Sequence, residues 1–475
     1  MNVTIKITPP DTVDIAGVFA RQKTTAITLR TSTAAERIAK LKKLEAAIFA
    51  HKAALYAALQ TDLRKAEAES DLSEIMPVIS EIRHTIRHLK SWMRTKRVSP
   101  TMSMLGTQAR IRYEPKGVCL IISPWNYPVG LTFGPLACAI GAGNTAIIKP
   151  SELTPACSAV MARIVEDTFD PAEIALFEGD AAVATALLDL PFDHIFFTGS
   201  PAVGKIVMAA AAKHLASVTL ELGGKSPVIV DETADIKKAA QSVMWGKFLN
   251  NGQTCVAPDY LYVHETIMPA FLDAAKDAIA KMYGADVQAS TDYGRIVNAR
   301  HFDRVKRLLD DATAFGAAVV TGGMAAADQK YIAPTLLTGV PETSAVMREE
   351  IFGPILPVIP YSDIAEPIRH INDNPKPLAL YVYSKNDTAI DNIIGQTSAG
   401  GTGVNMSVLQ FSHANLPFGG VNNSGIGSSH GIFGFRAFSH ERAVLRDRFS
   451  VTPMLFPPYT ASVKRLIKLT LTYFT

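Results

Sequence analysis

His194-Ile195-Phe196-Phe197-Thr198-Gly199-Ser200-Pro201-Ala202-Val203-Gly204-Lys205 runs from an apolar segment through a glycine turn into an alanine-rich stretch. It reads as a strand, a tight turn and a helix, and such a helix start can hold an anion through its unpaired N–H groups and dipole. The spacing Gly199, Gly204, Lys205 imitates a P-loop, but Ile206 stands where a magnesium-binding hydroxyl is needed. Gly224-Lys225-Ser226 fails as well, with Thr219 in place of the first glycine. The loop is not GxGxxG either, so the usual dinucleotide fingerprint is absent. Phosphate binding and a plain turn both remain open at this point.

Working outward, the same rhythm repeats. Val118–Ile122, Thr145–Ile148, Glu173–Phe177, His194–Phe197 and Ser217–Leu220 read as strands, with helices from about Thr154 and Val203. Apolar strands alternating with helices predict βαβ units and a parallel sheet. A second α/β series follows from Val228, including Tyr260–His264, Ala317–Val320, Ile355–Ile359 and Leu380–Ser384. Ahead of both, residues from Thr33 to about Thr95 read as helical, with a capping box at Thr33 and Glu36. Ala109–Tyr113 reads as a polar strand entering the turn Glu114–Gly117. The expected architecture is two α/β lobes and a mobile C-terminal region.

Composition narrows the function. The 475 residues, 48% hydrophobic and 19% charged, exclude general disorder. A net charge of +3, from 47 basic and 44 acidic side chains, gives no case for nucleic acid as main partner. Cys119, Cys138, Cys157 and Cys255 are too few for a disulfide framework. They contain no CxxC, so no metal site is expected, and the setting read from them is a reducing cytosol. Met1–Gln22 has no apolar run of signal-peptide length, being interrupted by Asp11 and Asp14. Gly117–Ile148 carries no charge and is long enough to span a bilayer, but Pro124, Pro128 and Pro135 break it. It reads as a buried strand, a loop and a small-residue helix. Near the C-terminus Val463, Leu466, Ile467, Thr470, Leu471 and Phe474 share a helical face. Docking on the protein is the reading preferred; peripheral membrane contact is the alternative.

Three further segments carry chemistry. Pro124-Trp125-Asn126-Tyr127-Pro128 presents an amide that could serve an oxyanion, or is a proline-rich turn. Glu221, in Leu220-Glu221-Leu222-Gly223-Gly224-Lys225, ends an apolar strand as a candidate general base, or pairs with Lys225. Cys255, in Asn250-Asn251-Gly252-Gln253-Thr254-Cys255, is a nucleophile or a buried filler.

Together with Phe196–Ser200, Lys149-Pro150-Ser151-Glu152 and Glu350-Ile351-Phe352-Gly353-Pro354, these segments occur in the order found in aldehyde dehydrogenases, which the chain resembles from about Ala34 to His440. Cys255–Tyr260, the short N-terminus, and Leu416-Pro417-Phe418-Gly419-Gly420 with His430-Gly431 look like the class three and coniferyl-aldehyde type. Asn422 and Ser429 depart from that branch, which more often has a glycine and a tyrosine there. The resemblance implies a Rossmann-like open parallel-sheet cofactor domain (1–100 and 117–222) and a second α/β catalytic domain (223–410). Residues 101–116 and 411–475 would form a small β oligomerisation element and C-terminal region, within a cytoplasmic homodimer.

It further implies Cys255 as nucleophile, Glu221 as base for thioester hydrolysis, and Asn126 as oxyanion donor. The cofactor would be NAD, with NADP as the alternative. Glu350 would bind the nicotinamide ribose, or pair with Arg348 instead, and Phe352 and Trp125 would lie in the ring region. Lys149 and Glu152 would meet the adenosine ribose, where the Glu152 charge disfavours a 2′-phosphate. Gly199, Ser200 and Leu222 would border the cofactor, and Gly204 would let the helix approach closely. Phe411, Phe418, Phe433 and Phe435, with His413 and His430, would wall an entrance for an aromatic or medium-chain aldehyde such as coniferyl aldehyde, or any one of these rings packs in the core instead. Rivals are a semialdehyde or acylating dehydrogenase, against which Glu221 argues, and a non-catalytic protein on the same fold.

Overall fold

The computed structural model describes residues 14–101, 104–450 and 452–473. The reading of residues 1–13, two residues of the expected β oligomerisation element (102–103) and Phe474 lie outside that set. The capping box is present: Glu36 N–H reaches Thr33 Oγ1, and the Glu36 carboxylate accepts the Thr33 N–H. It opens the helix Ala34–Ala50, followed by Lys52–Leu63 and Met76–Trp92.

The first sheet has six strands. Five are parallel, in the spatial order Ser217–Leu222, His194–Gly199, Val118–Ile122, Thr145–Lys149, Ile174–Leu176. The chain therefore starts in the middle, at Val118–Ile122, and winds to either side. The reversal point lies between that strand and His194–Gly199. In open α/β sheets the crevice at such a point, beyond the strand carboxyl ends, is where ligands bind. The sixth strand, Gly425–Ile426, returns from far along the chain and pairs antiparallel with Ser217–Leu222.

The parallel strands are mainly apolar because both faces are covered. Cys119 and Ile121 point into one buried cluster with the helices Ala34–Ala50 and Gly130–Ala142, and Val118 and Leu120 point into the cluster on the opposite face. The uncharged stretch 117–148 is accordingly a strand, a loop, the helix Gly130–Ala142 and a second strand. No helix among the described residues is long and apolar enough to cross a membrane.

The second sheet orders its strands Ala318–Thr321, Thr335–Thr338, Ile355–Tyr361, Pro258–His264, Ser226–Val230, Ala379–Tyr383, Gly401–Val404. Ala318–Thr321 alone is antiparallel to its neighbour in this sheet. A third sheet joins Lys96–Val98, Thr107–Pro115 and Ser439–Asp447. The C-terminal region, expected to be loose, thus supplies a nine-residue strand pairing Ser439–Asp447 with Thr107–Pro115. Apart from Ser439 that strand is exposed on both faces, so it lacks the apolar alternation by which strands are recognised. In the tail helix Ala461–Tyr473, Val463, Leu466, Ile467 and Thr470 are partly covered and no described residue is buried. The docking expected of it is therefore shallow.

Candidate active site

The cysteine loop is built from an uncommon backbone. Asn250, Asn251 and Gly252 all take positive φ (49°, 57° and 75°). Asparagine tolerates this region and glycine favours it. A side chain on Gly252 would strike the Gly353 backbone. Gln253 locks the turn: its amide donates to the carbonyls of Asn250 (3.0 Å) and Arg295 (2.9 Å) and accepts from Val297 N–H (3.0 Å). Cys255 follows directly. Cys119, Cys138 and Cys157 are buried, whereas Cys255 is partly accessible. Burial, with the Glu350 and Glu221 charges nearby, pushes its thiol up to about 12, while its own N–H and that of Val256 favour the thiolate.

Asn126 is fixed at both ends. Its side-chain amide donates to Gln253 O (3.0 Å), and its backbone carbonyl accepts from Asn250 Nδ2 (2.7 Å) and the buried Lys65 ammonium (3.4 Å). Lys65 is held in turn by Glu74 (2.7 Å), whose other oxygen caps the helix Gly130–Ala142 through the Val129 and Gly130 N–H groups. Glu74 lies in the π-helical turn Asp71–Ile75, a kind of irregularity frequent at functional sites.

Glu221 is buried and does not pair with Lys225. Lys225 bonds instead to Asp259 and to the carbonyls of Val346 and Glu349 (2.9 Å each). One Glu221 oxygen accepts from Ser429 Oγ (3.0 Å), and the other has no partner. Burial pushes the carboxyl up to about 8, with the Ser429 bond opposing.

Two cavities meet at Cys255 and Glu221. One lies at the reversal point of the first sheet, lined by Trp125, Asn126, Gly199, Ser200, Leu222, His301, Arg304, Glu350 and Phe352 among others. The second is mainly apolar, lined by Pro77, Tyr127, Leu249, Val256, Phe411, Phe418 and His430 among others. Thr198 borders both, and its buried hydroxyl also lacks a partner. The first cavity fits a dinucleotide on several counts. The helix Pro201–His214 starts at its edge with Ser200 as cap. A side chain on Gly223 would run into the Glu350 carboxylate, and one on Gly204 would strike Leu222, so that helix lies close against the strand. Phe352, at φ 47°, stands edge-to-face with Trp125 (ring centroids 5.4 Å apart).

Glu350 has no ion pair with Arg348. It accepts from Gly224 N–H (3.0 Å), and burial pushes it up to about 7. Its loop is anchored by Arg304, which donates to the Glu350 (3.0 Å) and Ile351 (2.6 Å) carbonyls, and by Asp259, which accepts from Ile351 N–H (2.9 Å). Arg304 and His301 carried no sequence signal, being polar residues of an ordinary amphipathic helix, Ala299–Ala314.

Lys149 and Glu152 pair with each other (2.9 Å) beyond the adjoining strand and do not line the cavity. Of the C-terminal aromatics, Phe411, Phe418 and His430 line the apolar cavity. Phe435 does not: it packs in the core against Trp92 and Tyr113 (both 5.7 Å) because the short helix Gly431–Ala437 turns it inward. Phe433 and His413 are also absent from the cavity wall.

A thiol and a carboxylate with an unpartnered oxygen where the reversal-point crevice meets an apolar cavity, with a fixed amide on the crevice side, suit an enzyme that works on a small molecule beside a bound nucleotide. The chain belongs to the aldehyde dehydrogenase family, whose pattern matches residues 3–444, and is an NAD(P)-dependent aldehyde dehydrogenase. It is 44% identical over 452 residues to 4,4'-diaponeurosporen-aldehyde dehydrogenase of Staphylococcus aureus, covering 95% of this chain and 96% of that one. It is 43% identical over 437 residues to the dimeric NADP-preferring aldehyde dehydrogenase of Canis lupus familiaris, covering 90% and 94%. Among solved structures, the substrate-bound state of Staphylococcus aureus AldH superposes with a TM-score of 0.92 at 43% identity, covering 96% of this chain and 99% of that one.

Proposed function

We propose that Cys255 attacks the aldehyde carbon and that the acyl group leaves through hydrolysis assisted by Glu221. The observation that carries this is the placement of the thiol, Glu221 with its free oxygen, and Asn126 around one cavity. One Asn126 amide hydrogen is committed to Gln253, leaving the second for the developing oxyanion, together with the Cys255 N–H. When bound, the oxidised nicotinamide supplies the hydride acceptor and a positive ring beside the thiol. Because the thiol is held high without that charge, Cys255 is proposed to become reactive once the crevice is filled. Glu221 then takes a proton from water as the water attacks the thioester, and the sulfur leaves.

Glu350 is proposed to hold the nicotinamide ribose, with Trp125 and Phe352 beside the ring, and Gly199, Ser200 and Leu222 along the rest of the cofactor. Lys149 and Glu152 are assigned to the adenosine ribose, with NAD preferred. The aromatic rings of Phe411 and Phe418 support an aromatic or medium-chain aldehyde, coniferyl aldehyde included. Residues 1–100 with 117–222, and 223–410, are assigned as cofactor and catalytic domains. The exposed edge strand Ser439–Asp447, with Leu445 on it and Phe449 just after it uncovered, supports a homodimer joined through the third sheet; the cytoplasm is the compartment proposed for it.

The deciding experiment follows NADH or NADPH absorbance with an aldehyde panel, with Cys255→Ala as control. Loss of the nucleophile should lower turnover by about three orders of magnitude or more. Sustained oxidation by Cys255→Ala would end the covalent mechanism.

A further inference from the structure

We propose that Ser429 is a positioning residue for Glu221: its hydroxyl holds one carboxylate oxygen and leaves the other free for the water that attacks the acyl group. The proposal rests on the reading of Glu221 as the hydrolytic base.

Ser429 is itself fixed from two sides. Its backbone exchanges two hydrogen bonds with Phe418 (3.2 and 2.6 Å). Within the loop so closed, Gly425 and Ile426 pair with Glu221 and Leu220, and Ser424 O accepts from Leu222 N–H (3.0 Å). The loop therefore grips the strand at Glu221 through the backbone, and Ser429 reaches its side chain. From the other side, Gly431 N–H donates to both oxygens of the buried Glu81 (3.0 and 3.1 Å), on the helix Met76–Trp92.

A proton count sharpens the assignment. Ser429 Oγ lies 3.0 Å from Glu221 Oε1, 3.3 Å from Phe418 O and 3.3 Å from His430 Nδ1. A hydroxyl has one hydrogen to give. With Glu221 ionised, that hydrogen goes to the carboxylate, the shortest and charge-assisted contact, and His430 Nδ1–H can donate to Oγ. With Glu221 protonated, Ser429 can turn its hydrogen to Phe418 O and accept from the acid. It can thus serve both states without moving a heavy atom.

The charged and titratable groups around Glu221 are few. Cys255, Glu350, His301 and Arg304 face the cofactor crevice, and Glu81, Tyr127, Cys138 and His430 face the apolar cavity. Lys116 and His194 meet the far end of its strand at Ser217, and Lys225 is spent on Asp259.

The test isolates acyl-group removal. The enzyme is loaded with NAD and an aldehyde, quenched at intervals, and the Cys255 adduct is followed by intact mass across pH. In the wild type, decay should rise as pH passes upward through about 8, where Glu221 ionises. Ser429→Ala should move that midpoint up by about one pH unit and slow decay at pH 7 by about tenfold. Adduct formation should stay unchanged. Ser429→Thr, which keeps the hydroxyl, should restore most of the loss. A wild-type midpoint and decay in Ser429→Ala would overturn the proposal. Glu221→Gln separates the two readings. If it keeps the wild-type pH dependence, the base assignment falls and this proposal with it. If it loses that dependence while Ser429→Ala retains it, only the role of Ser429 falls.

Discussion

The two cavities that meet at Cys255 are made in opposite ways. One wall of the cofactor crevice is assembled from the ends of three strands adjacent in the first sheet: Trp125 and Asn126 after one, Gly199 and Ser200 after its neighbour, Leu222 and Gly223 at the end of the next; His301, Arg304, Glu350 and Phe352 close it from the second lobe. Backbone and small residues do much of the shaping. The apolar cavity draws side chains from segments far apart in the chain, among them Pro77 and Val78, Tyr127 and Leu131, Leu249 and Val256, Phe411 and Phe418. Strand ends that run into glycine turns leave motifs in the sequence, whereas single side chains contributed by helices and loops do not, as His301 and Arg304 show even on the crevice side. The seam between them should therefore respond to mutation differently from either flank.

The largest effect in this comparison belongs to Asn126, on the crevice wall next to the seam. Asn126→Ala should lower kcat/KM by about 10²–10³-fold for every aldehyde and with either cofactor, because it removes a donor to a charge that all substrates develop. Stopped-flow measurement of adduct formation checks this. A loss confined to one aldehyde would place Asn126 on the substrate side and break the division.

The substrate flank should be selective. Phe418 stands edge-to-face with His430 (5.2 Å) and near Phe411 (6.4 Å). Phe418→Ala should raise KM for benzaldehyde or coniferyl aldehyde by roughly tenfold, the scale of losing apolar contact in a pocket. KM for acetaldehyde and for the cofactor should barely move. An equal loss for all aldehydes would mean that the ring supports the Ser429 loop rather than the substrate.

The same contrast explains what was legible. The parallel strands of the first sheet and several of the second could be read because they are mainly apolar runs between helices, whereas Thr335–Thr338, Gly401–Val404 and Gly425–Ile426 are short or carry glycine and left no such run. Cys255, Glu221 and Asn126 stood out as candidates because each sits in a local pattern of glycine, proline or amide residues. The third sheet was only half legible. Thr107–Pro115 leads into a turn signal, but its partner Ser439–Asp447 is exposed on both faces and more than three hundred residues away. Lys225 looked like a partner for Glu221 because they are close in sequence. The fold instead sends it to Asp259, and Glu221 takes a serine 208 positions away. Asn422 departs from a glycine pattern yet adopts φ 55°, which asparagine tolerates, so the loop that carries Ser429 keeps its turn.

The smallest expected effect lies at the far end of the cofactor flank. Glu152 is half-exposed and already paired with Lys149, so its charge is partly neutralised and partly screened. Its carboxyl is held below the usual range by the Lys149 bond against opposing burial, so it stays ionised at neutral pH. If it repels a 2′-phosphate, Glu152→Gln should raise kcat/KM with NADP relative to NAD by only about threefold to tenfold, since solvent-exposed charges interact weakly. It also frees the Lys149 ammonium to attract the phosphate, which pushes the ratio the same way. The gain should shrink as salt is raised, because the interaction is screened over a Debye length of about 8–10 Å. Steady-state kinetics with both cofactors at two ionic strengths would show this. A wild-type enzyme that already works far better with NADP would sink the assigned preference. A Glu152→Gln ratio unchanged at low salt would place this pair outside the adenosine site, leaving the crevice between Trp125 and Glu350 as the part of the flank that binds.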